Sequence, residues 1–512
     1  MLLDAILHIP EANIRELFVM TLSDAVNANN LFCKYEVGYQ KLSPLFGLHA
    51  YHPVVQPVEN NVWGTKYGRG SFVKYFGKTR RGKVYGIRPF ERDGAARRKT
   101  GDTVAAELAK DFAGILAGRG NGLLWAQTSE DLSSIPDRSV DAIVTDPPYC
   151  DNVMYAELAD FFYVWLRLGL KNTYPWFEPE ITPKAREIVQ NKMQEKNEGF
   201  FFRGLTRVFR ECHRVLRDEG LMAFTFHHKE TWAWKSVLSS ILDAGFHVVA
   251  TYPVRSEKRG GFHADVGNIG YDIPFVCRKR PGDGQPVGWE TLKDEVYFAA
   301  QESVERLKTS GRQLSDGDLF VIVMGRCLEI YSKHWPHVLK EGQSVDVDQA
   351  VDDLDDLVDS LIKSYELKLL PLTLDETTKL YLLYIAGQPT VSGDELRKRL
   401  VTGGGSLSDF TGRGYLVRKG RRFTVAAPGQ RVEFIERQIE RQADLPLIDV
   451  AHHLYATYQT GQPLQWRMMG RWSRDELVAV LEHLYRKTGD RAWRAVAELS
   501  RRALAPGQEA MM

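Results

Sequence analysis

Apolar positions along this chain switch between two spacings, and the switches mark out its elements. Near the amino terminus Ile14, Leu17, Phe18, Leu22 and Val26 recur at three- and four-residue intervals, which predicts mostly helix over residues 1–30 with one apolar face. Leu123 to Gln127 is a short apolar run. Val140, Ala142, Ile143 and Val144 form a second, whose length and β-branching fit a buried parallel strand. Helical spacing returns over 153–170, where Phe161, Phe162, Tyr163 and Trp165 read as a core-facing aromatic side, and again over 200–217 and 232–244. Between and after these helices lie strand-like runs at 220–226, 246–252 and 271–277. Helices alternating with apolar strands predict the α/β class, and the last two strands, joined through Gly260-Gly261, read as an antiparallel pair closing the sheet at its edge.

Beyond Arg280 the composition changes, with a boundary at 281–286. Residues 289–333 carry helical periodicity. The acidic stretch 346–359 places Val351, Leu354, Leu357, Val358 and Leu361 on one side, the start of an amphipathic helix with its carboxylates toward the positive dipole end. From 374 to 425 the order is helix, Gly387-Gln388-Pro389 turn, helix, glycine-rich loop, and two short strands about Lys419-Gly420, which reads as a winged-helix module. Its Arg397, Lys398, Arg399, Arg413, Arg418, Lys419, Arg421 and Arg422 could meet DNA phosphates, or the module could dock a partner. The expected organisation is a catalytic domain over 1–280, a helical region over 281–370, the winged-helix module over 371–430 and a helical region over 431–512.

Composition narrows the function classes. The chain has 512 residues and a net charge of +1, so it is long enough for two or three domains and has no general basic envelope; any nucleic-acid contact must come from local patches. Residues 35–86 hold such a mixture: Lys66, Arg69, Lys74, Lys78, Arg80, Arg81 and Lys83 lie among Tyr67, Phe72, Tyr75 and Phe76. That fits a nucleic-acid face or an irregular excursion packed on the catalytic domain. The five cysteines (Cys33, Cys150, Cys212, Cys277, Cys327) are scattered and odd in number, which fits a reducing cytoplasm and argues against a structural zinc site. No apolar run reaches the roughly 18 residues of a membrane span, and no signal pattern opens the chain, so a cytoplasmic location without membrane contact is expected.

The run at 140–144 ends in Asp146-Pro147-Pro148-Tyr149. Two prolines cannot continue a ladder, so the tetrad belongs on the loop at the strand's carboxyl end, where open α/β sheets bind ligands. The chemistry suggested is methyl transfer to the exocyclic amino nitrogen of a nucleobase. That nitrogen is a poor nucleophile until a carboxylate (Asp146) and the Pro147 carbonyl accept its hydrogens and localise its lone pair, while Tyr149 offers a ring for an extruded base to stack on. Asp151 and Asn152 stand close enough to touch the base or cap the next helix. His227 and His228 end the strand at 220–226 on the same sheet edge and are candidates to line the substrate or support those that do; Arg255 and Glu257 could reach it from a later loop, or pair at the surface. Cys150 reads as a small packing residue, and no third ligand accompanies the histidines for a metal.

The tetrad resembles the catalytic motif of amino-methyltransferases acting on adenine N6 or cytosine N4. The longer run D-P-P-Y-C-D-N-V-M-Y-A-E-L-A-D-F-F-Y-V-W-L resembles the adenine-specific DNA methylases of prokaryotes that carry the domain of unknown function 1156, over about residues 17–280. The resemblance implies a Rossmann-like methyltransferase sheet, S-adenosylmethionine as cofactor with Gln127, Thr128, Ser129 and Asp146 against it, and DNA as substrate. Thr128 and Ser129 read equally well as a helix cap. The glycine turn of that family, D-P-F-x-G-x-G, is not found: Asp111-Phe112-Ala113-Gly114 mimics it but follows helix-like sequence, and Gly403-Gly404-Gly405 reads as a loop. The sheet is therefore expected to be incomplete at its N-terminal strands, the chain resembling the later portion of such an enzyme: either a split subunit whose upstream-encoded partner carries the glycine motif, or a truncated enzyme. The rival readings are a catalytically silent DNA-binding or assembly subunit of a methylase or defence complex, and an amino-methyltransferase acting on RNA or on a protein amide nitrogen.

Overall fold

The computed structural model describes residues 1–37, 40–47, 51, 57–64, 70–94, 96–101, 106–255, 270–282, 284–309, 316–371, 373–402, 405–420 and 422–503. Glu257, Gly260-Gly261, Lys66, Tyr67, Arg69, Gly403-Gly404 and Arg421 lie outside them. Two compact units divide the chain: Met1–Ala250 with Phe275–Asp283, and Thr251–Pro274 with Gly284–Met512.

The first unit runs through helices α1 (Leu2–Leu7) and α2 (Ala12–Val26), a hairpin β1 (Lys34–Glu36) and β2 (Lys41–Ser43), α3 (Phe72–Ile87), a second hairpin β3 (Phe90–Asp93) and β4 (Ala96–Lys99), and a short α4 (Phe112–Leu116). Then come β5 (Val140–Thr145), α5 (Tyr155–Leu170), α6 (Glu198–Val215), β6 (Leu216–Phe226), α7 (Thr231–Asp243) and β7 (Phe246–Thr251). A two-residue β8 (Val254–Arg255) and β9 (Tyr271–Lys279) follow across the boundary with the second unit. The main sheet has the order β5-β6-β9-β7, with β8 on β9. It is mixed: β5 and β6 are parallel, β8 and β9 antiparallel.

The centre of this unit follows from sequence spacing. Phe201, Leu205, Phe209 and Cys212 sit one turn apart on α6 and are all buried, while Asn197 caps the helix by accepting the Phe200 amide at 3.0 Å. In β6 Met222, Phe224 and Phe226 alternate with half-exposed neighbours. The Phe224 ring stacks on Phe275 at 5.1 Å and meets Phe209 at 5.4 Å, so helix and sheet share one core. At the amino end α2 lies so close to α5 that a Cβ on Gly169 would stand 2.7 Å from Val19 Cγ2, which only glycine permits.

Several expectations are overturned. Residues 123–127 form no strand; only Gly122 makes an isolated bridge, to Leu108, because the run lacks the β-branched residues that favour extended backbone. The late pair does lie at one end of the sheet, with β9 between β6 and β7. The other end is β5, expected to be buried: its outer side has no strand among the described residues, and Val144 is 85% exposed. Only Leu170 is buried on α5, whose aromatic residues are at best half-covered, and Ile14 on α2 faces outward. Asp111 proves to be an ordinary helix cap, accepting the Gly114 amide at 2.7 Å.

The second unit begins with long helices Trp289–Thr309, Asp316–His334 and Val347–Leu369, the last capped by Asp346, which accepts the Gln349 amide at 2.8 Å. Helix Glu376–Tyr384, strand Thr390–Ser392, helices Gly393–Thr402 and Leu407–Gly412, and strands Leu416–Lys419 and Arg422–Val425 follow; the three strands form an antiparallel sheet with Arg422–Val425 in the middle. Helices Val432–Glu440, Leu447–Gln459, Arg474–Thr488 and Arg491–Ala503 complete it. Several cations expected on phosphates are engaged here. Arg399 pairs with Asp359, Arg413 lies 3.9 Å from Asp449, and Arg422 donates to Thr390 Oγ1. All five cysteines are buried and reduced, and among the described residues no helix is long and apolar enough to cross a membrane.

A fully buried network ties the small sheet to the helices after it. Arg431 donates to Asp449 Oδ1 at 2.6 Å and to His452 Nδ1 at 2.8 Å, its guanidinium lies 3.6 Å over the Tyr415 ring, and the Tyr415 hydroxyl donates to the same carboxylate oxygen at 2.6 Å. Breaking such a pair strands the remaining charge. Asp449→Ala is expected to lower the unit's unfolding free energy by about 3–5 kcal/mol in urea titration, whereas Glu433→Ala, which removes the exposed pair with Arg437, should change it by under ~1 kcal/mol. Burial first, then the Arg431 charge, hold the His452 imidazole well below its ordinary 6.5. The unfolded chain therefore takes up a proton below pH 6.5 that the folded unit refuses. This contribution is complete above that pH and is lost as pH falls below it, at about 1.4 kcal/mol per unit; His452→Asn should flatten that slope.

Candidate active site

The tetrad leaves β5 at the rim of the sheet. Because β5 and β6 are parallel with Thr145 beside Phe224, the next residues, Asp146 and Thr225, share a face. They bond: the Thr225 hydroxyl donates to Asp146 Oδ1 and accepts from the Tyr149 hydroxyl at 2.9 Å. One threonine thus fixes both the carboxylate and the aromatic ring. Asp146 is exposed, and among the described residues its Oδ2 and the Pro147 carbonyl take no hydrogen bond, so two acceptors at the rim remain open.

After the prolines the backbone reverses. The Asn152 amide donates to the Tyr149 carbonyl at 3.1 Å, and Cys150 adopts a left-handed φ of 54°, uncommon for a residue with a Cβ. Cys150 is buried; burial first, then the Asp151 and Glu198 carboxylates, push its thiol far above the ordinary range, so it packs rather than reacts. The Tyr149 ring stands edge-on to His227 at 4.8 Å and to Phe226 at 5.5 Å, which places half-exposed His227 beside it.

His228 does something different. It is buried; its Nδ1 accepts the Glu230 amide at 3.1 Å, leaving Nε2–H to donate to Asp151 Oδ1 at 3.2 Å, while its carbonyl accepts from Trp234 Nε1 at 2.8 Å. With both ring nitrogens engaged it ties Asp151 to the turn at Glu230. Asp151 and Asn152 are exposed, and they precede α5 instead of opening it.

The segment after α5 is ordered around this rim. Glu187 Oε1 accepts the Ala156 amide at 2.9 Å and so caps α5, the Gln190 amide donates to the Cys150 carbonyl at 3.2 Å, and Lys196, nearly buried, donates to the Glu187 carbonyl at 2.8 Å. Glu187 Oε2 and Gln190 Oε1 are buried and have no hydrogen-bond partner among the described residues. Burial first, then the Asp146 and Glu187 charges, raise the pKa of the Tyr155 hydroxyl, which sets Tyr155 near both carboxylates. Thr225, Tyr155 and Glu187 escaped the sequence reading. Only Thr225 left a signal there, as the polar residue between Phe224 and Phe226 at a strand's end.

Gln127 and Ser129 are exposed on irregular backbone, and Thr128 Oγ1 is taken by the Glu130 amide at 3.2 Å in a local turn. The stretch behind them is pinned to α6: Arg207 Nε reaches Glu130 at 2.7 Å, and Arg214 donates to the carbonyls of Leu132 and Ile135 at 2.8 and 3.0 Å. Arg255 is exposed on β8 in the second unit. Among the described residues no group of His, Cys, Asp and Glu is arranged to hold a metal ion. No family model matches the chain, and no curated protein or solved structure matches it either.

Proposed function

We propose that this chain is the catalytic part of an S-adenosylmethionine-dependent methyltransferase acting on an exocyclic amino group of DNA, adenine N6 in the first instance, in line with its resemblance to prokaryotic adenine-specific DNA methylases. The observation that carries the reading is the open pair of acceptors, Asp146 Oδ2 and the Pro147 carbonyl, at the carboxyl end of β5. An adenine amino group set between them gives up one N–H to each. Its lone pair is then localised on nitrogen, and positive charge growing there in attack is met by the carboxylate, which is also placed to take the departing proton. Thr225 holds Asp146 while the base stacks near Tyr149. The parallel β5-β6 pair, and a final strand entering between its predecessors, support a Rossmann-like methyltransferase sheet. The three-stranded antiparallel sheet with its flanking helices in the second unit supports the winged-helix reading.

S-adenosylmethionine would supply the methyl group, but the described residues do not build a full cradle for it: Gln127 to Ser129 form a loop, and no glycine turn adjoins β5. The open edge of β5, with Val144 outward, supports a partner strand laid along it that brings such a turn beside Asp146. The assay is transfer of labelled methyl from S-adenosylmethionine to DNA, with and without a partner polypeptide bearing D-P-F-x-G-x-G. Asp146→Ala is expected to abolish transfer, and Thr225→Val to lower it by about 10-fold through loss of one anchoring hydrogen bond; unchanged incorporation in Asp146→Ala defeats the catalytic reading. Calorimetry on the chain alone should show weak or no cofactor binding, restored by the partner. Tight binding alone would dismiss the partner strand. Absence of transfer even with the partner present would favour a catalytically silent DNA-binding subunit, and incorporation into RNA alone would redirect the substrate.

A further inference from the structure

We infer that the second half of α3 and the β3–β4 hairpin form a basic arm that grips the phosphate backbone of duplex DNA. From Lys78 to Lys99 the chain holds nine Lys and Arg against two acidic residues, a local excess that the near-neutral whole conceals. The structure gives this excess a shape. α3 is anchored by its first half, where Phe72 and Phe76 pack on Phe18 and Thr79 meets Thr21 at 3.0 Å. From Arg80 to Arg88 every residue is exposed, and among the described residues of the hairpin only Phe90 is even half-covered. A two-stranded ribbon without a core is marginal in water, and a helix exposed all round finds little stabilisation within its own unit.

Strand pairing points to what completes it. The register sets Phe90 opposite Lys99 and Arg92 opposite Arg97, so one face of the ribbon presents Arg92, Arg97 and Lys99, with the Arg97 guanidinium 4.7 Å over the Phe90 ring. Both acids, Glu91 and Asp93, fall on the opposite face. Like charges directly opposed on one face are destabilising. Among the described residues no carboxylate pairs with Arg80, Arg81, Lys83 or Arg88 on the helical side, nor with Arg92 or Lys99 on the ribbon. A sequence that opposes two arginines and keeps its acids off that face is suited to a polyanion. The B-DNA major groove, about 12 Å wide, admits a two-stranded ribbon, whereas the A-form major groove of RNA is too narrow.

This deepens the proposed function by naming where the duplex is held. It rests on that reading only for the choice of DNA, because the charge argument does not involve Asp146. The test is fluorescence anisotropy of the full chain with a labelled duplex of mixed sequence, without cofactor, over a range of salt. Since each phosphate contact adds about 0.9 to the salt slope, Arg92→Gln/Arg97→Gln/Lys99→Gln is expected to flatten the slope by about 2.7 and to weaken binding by on the order of 10-fold or more at low salt. Arg437→Gln/Arg441→Gln/Arg502→Gln, exposed in the second unit, should leave the slope as it is. All three ribbon side chains are exposed, so circular dichroism melting of the ribbon variant should match or exceed the wild type as the arginine repulsion is relieved. The measurement contains no cofactor and reads binding alone, so it separates a failed catalytic reading from a failed arm. An unchanged slope in the ribbon variant overturns the inference. So does tighter binding to duplex RNA, or binding to anionic vesicles with none to DNA.

Discussion

Asp146 is held by a residue with no carboxylate of its own. Thr225 bridges the Asp146 oxygen and the Tyr149 hydroxyl, and it can do so only because β5 and β6 run parallel in a register that sets their terminal residues on one face. Everything proposed at the rim depends on that alignment. Shifting β6 by one residue would turn Phe224 or Phe226 toward the acid and send the threonine into the core. The register is secured by the buried alternation of Met222, Phe224 and Phe226 and by the rings of Phe209 and Phe275 against them, so core packing and site geometry are one constraint.

Around this fixed pair the rim is built by backbone capture more than by side-chain ion pairs. His228, Glu187, Gln190 and Trp234 each spend a polar atom on a main-chain group of the loops about the tetrad, and Cys150 accepts a left-handed backbone to let the chain turn back. The result is a loop in which the second Asp146 oxygen and the Pro147 carbonyl take no hydrogen bond among the described residues. Preorganised acceptors of this kind suit charge that develops during a reaction, since no reorientation is needed when it appears.

Much of this was legible in the amino-acid sequence because local spacing determines it. Helix α6, strand β6 and their buried faces follow from three- and four-residue or alternate apolar positions, and the end of β5 follows from two prolines. What was not legible depends on neighbours distant in the chain. An apolar run such as Val140 to Val144 does not reveal whether a strand lies on both of its sides, so an edge was read as a centre. Residues 123–127 are apolar but lack β-branched side chains, and among the described residues no strand pairs with them. Thr225 acquires its role only once register is known, and the Lys78 to Lys99 cations separate into faces only when the hairpin pairing is set.

The Arg431–Asp449 network has a further consequence for how the C-terminal region can be dissected. A boundary at residue 430 falls at a natural change of pattern, yet it would sever a guanidinium from the Tyr415 ring beneath it and from the Arg413 carbonyl it bonds at 3.0 Å. Helix Leu447–Gln459 would lose as well the Asp375 and Thr378 oxygens that receive its first amides, at 3.1 and 3.0 Å. Expressed apart, the fragment from Arg431 onward would keep the Arg431–Asp449 pair but lose the Tyr415 hydroxyl bonded to it and the oxygens that cap its helix, and the fragment before it would bury a tyrosine hydroxyl without its acceptor. Residues 375–503 are therefore better inherited, exchanged or truncated as a single block.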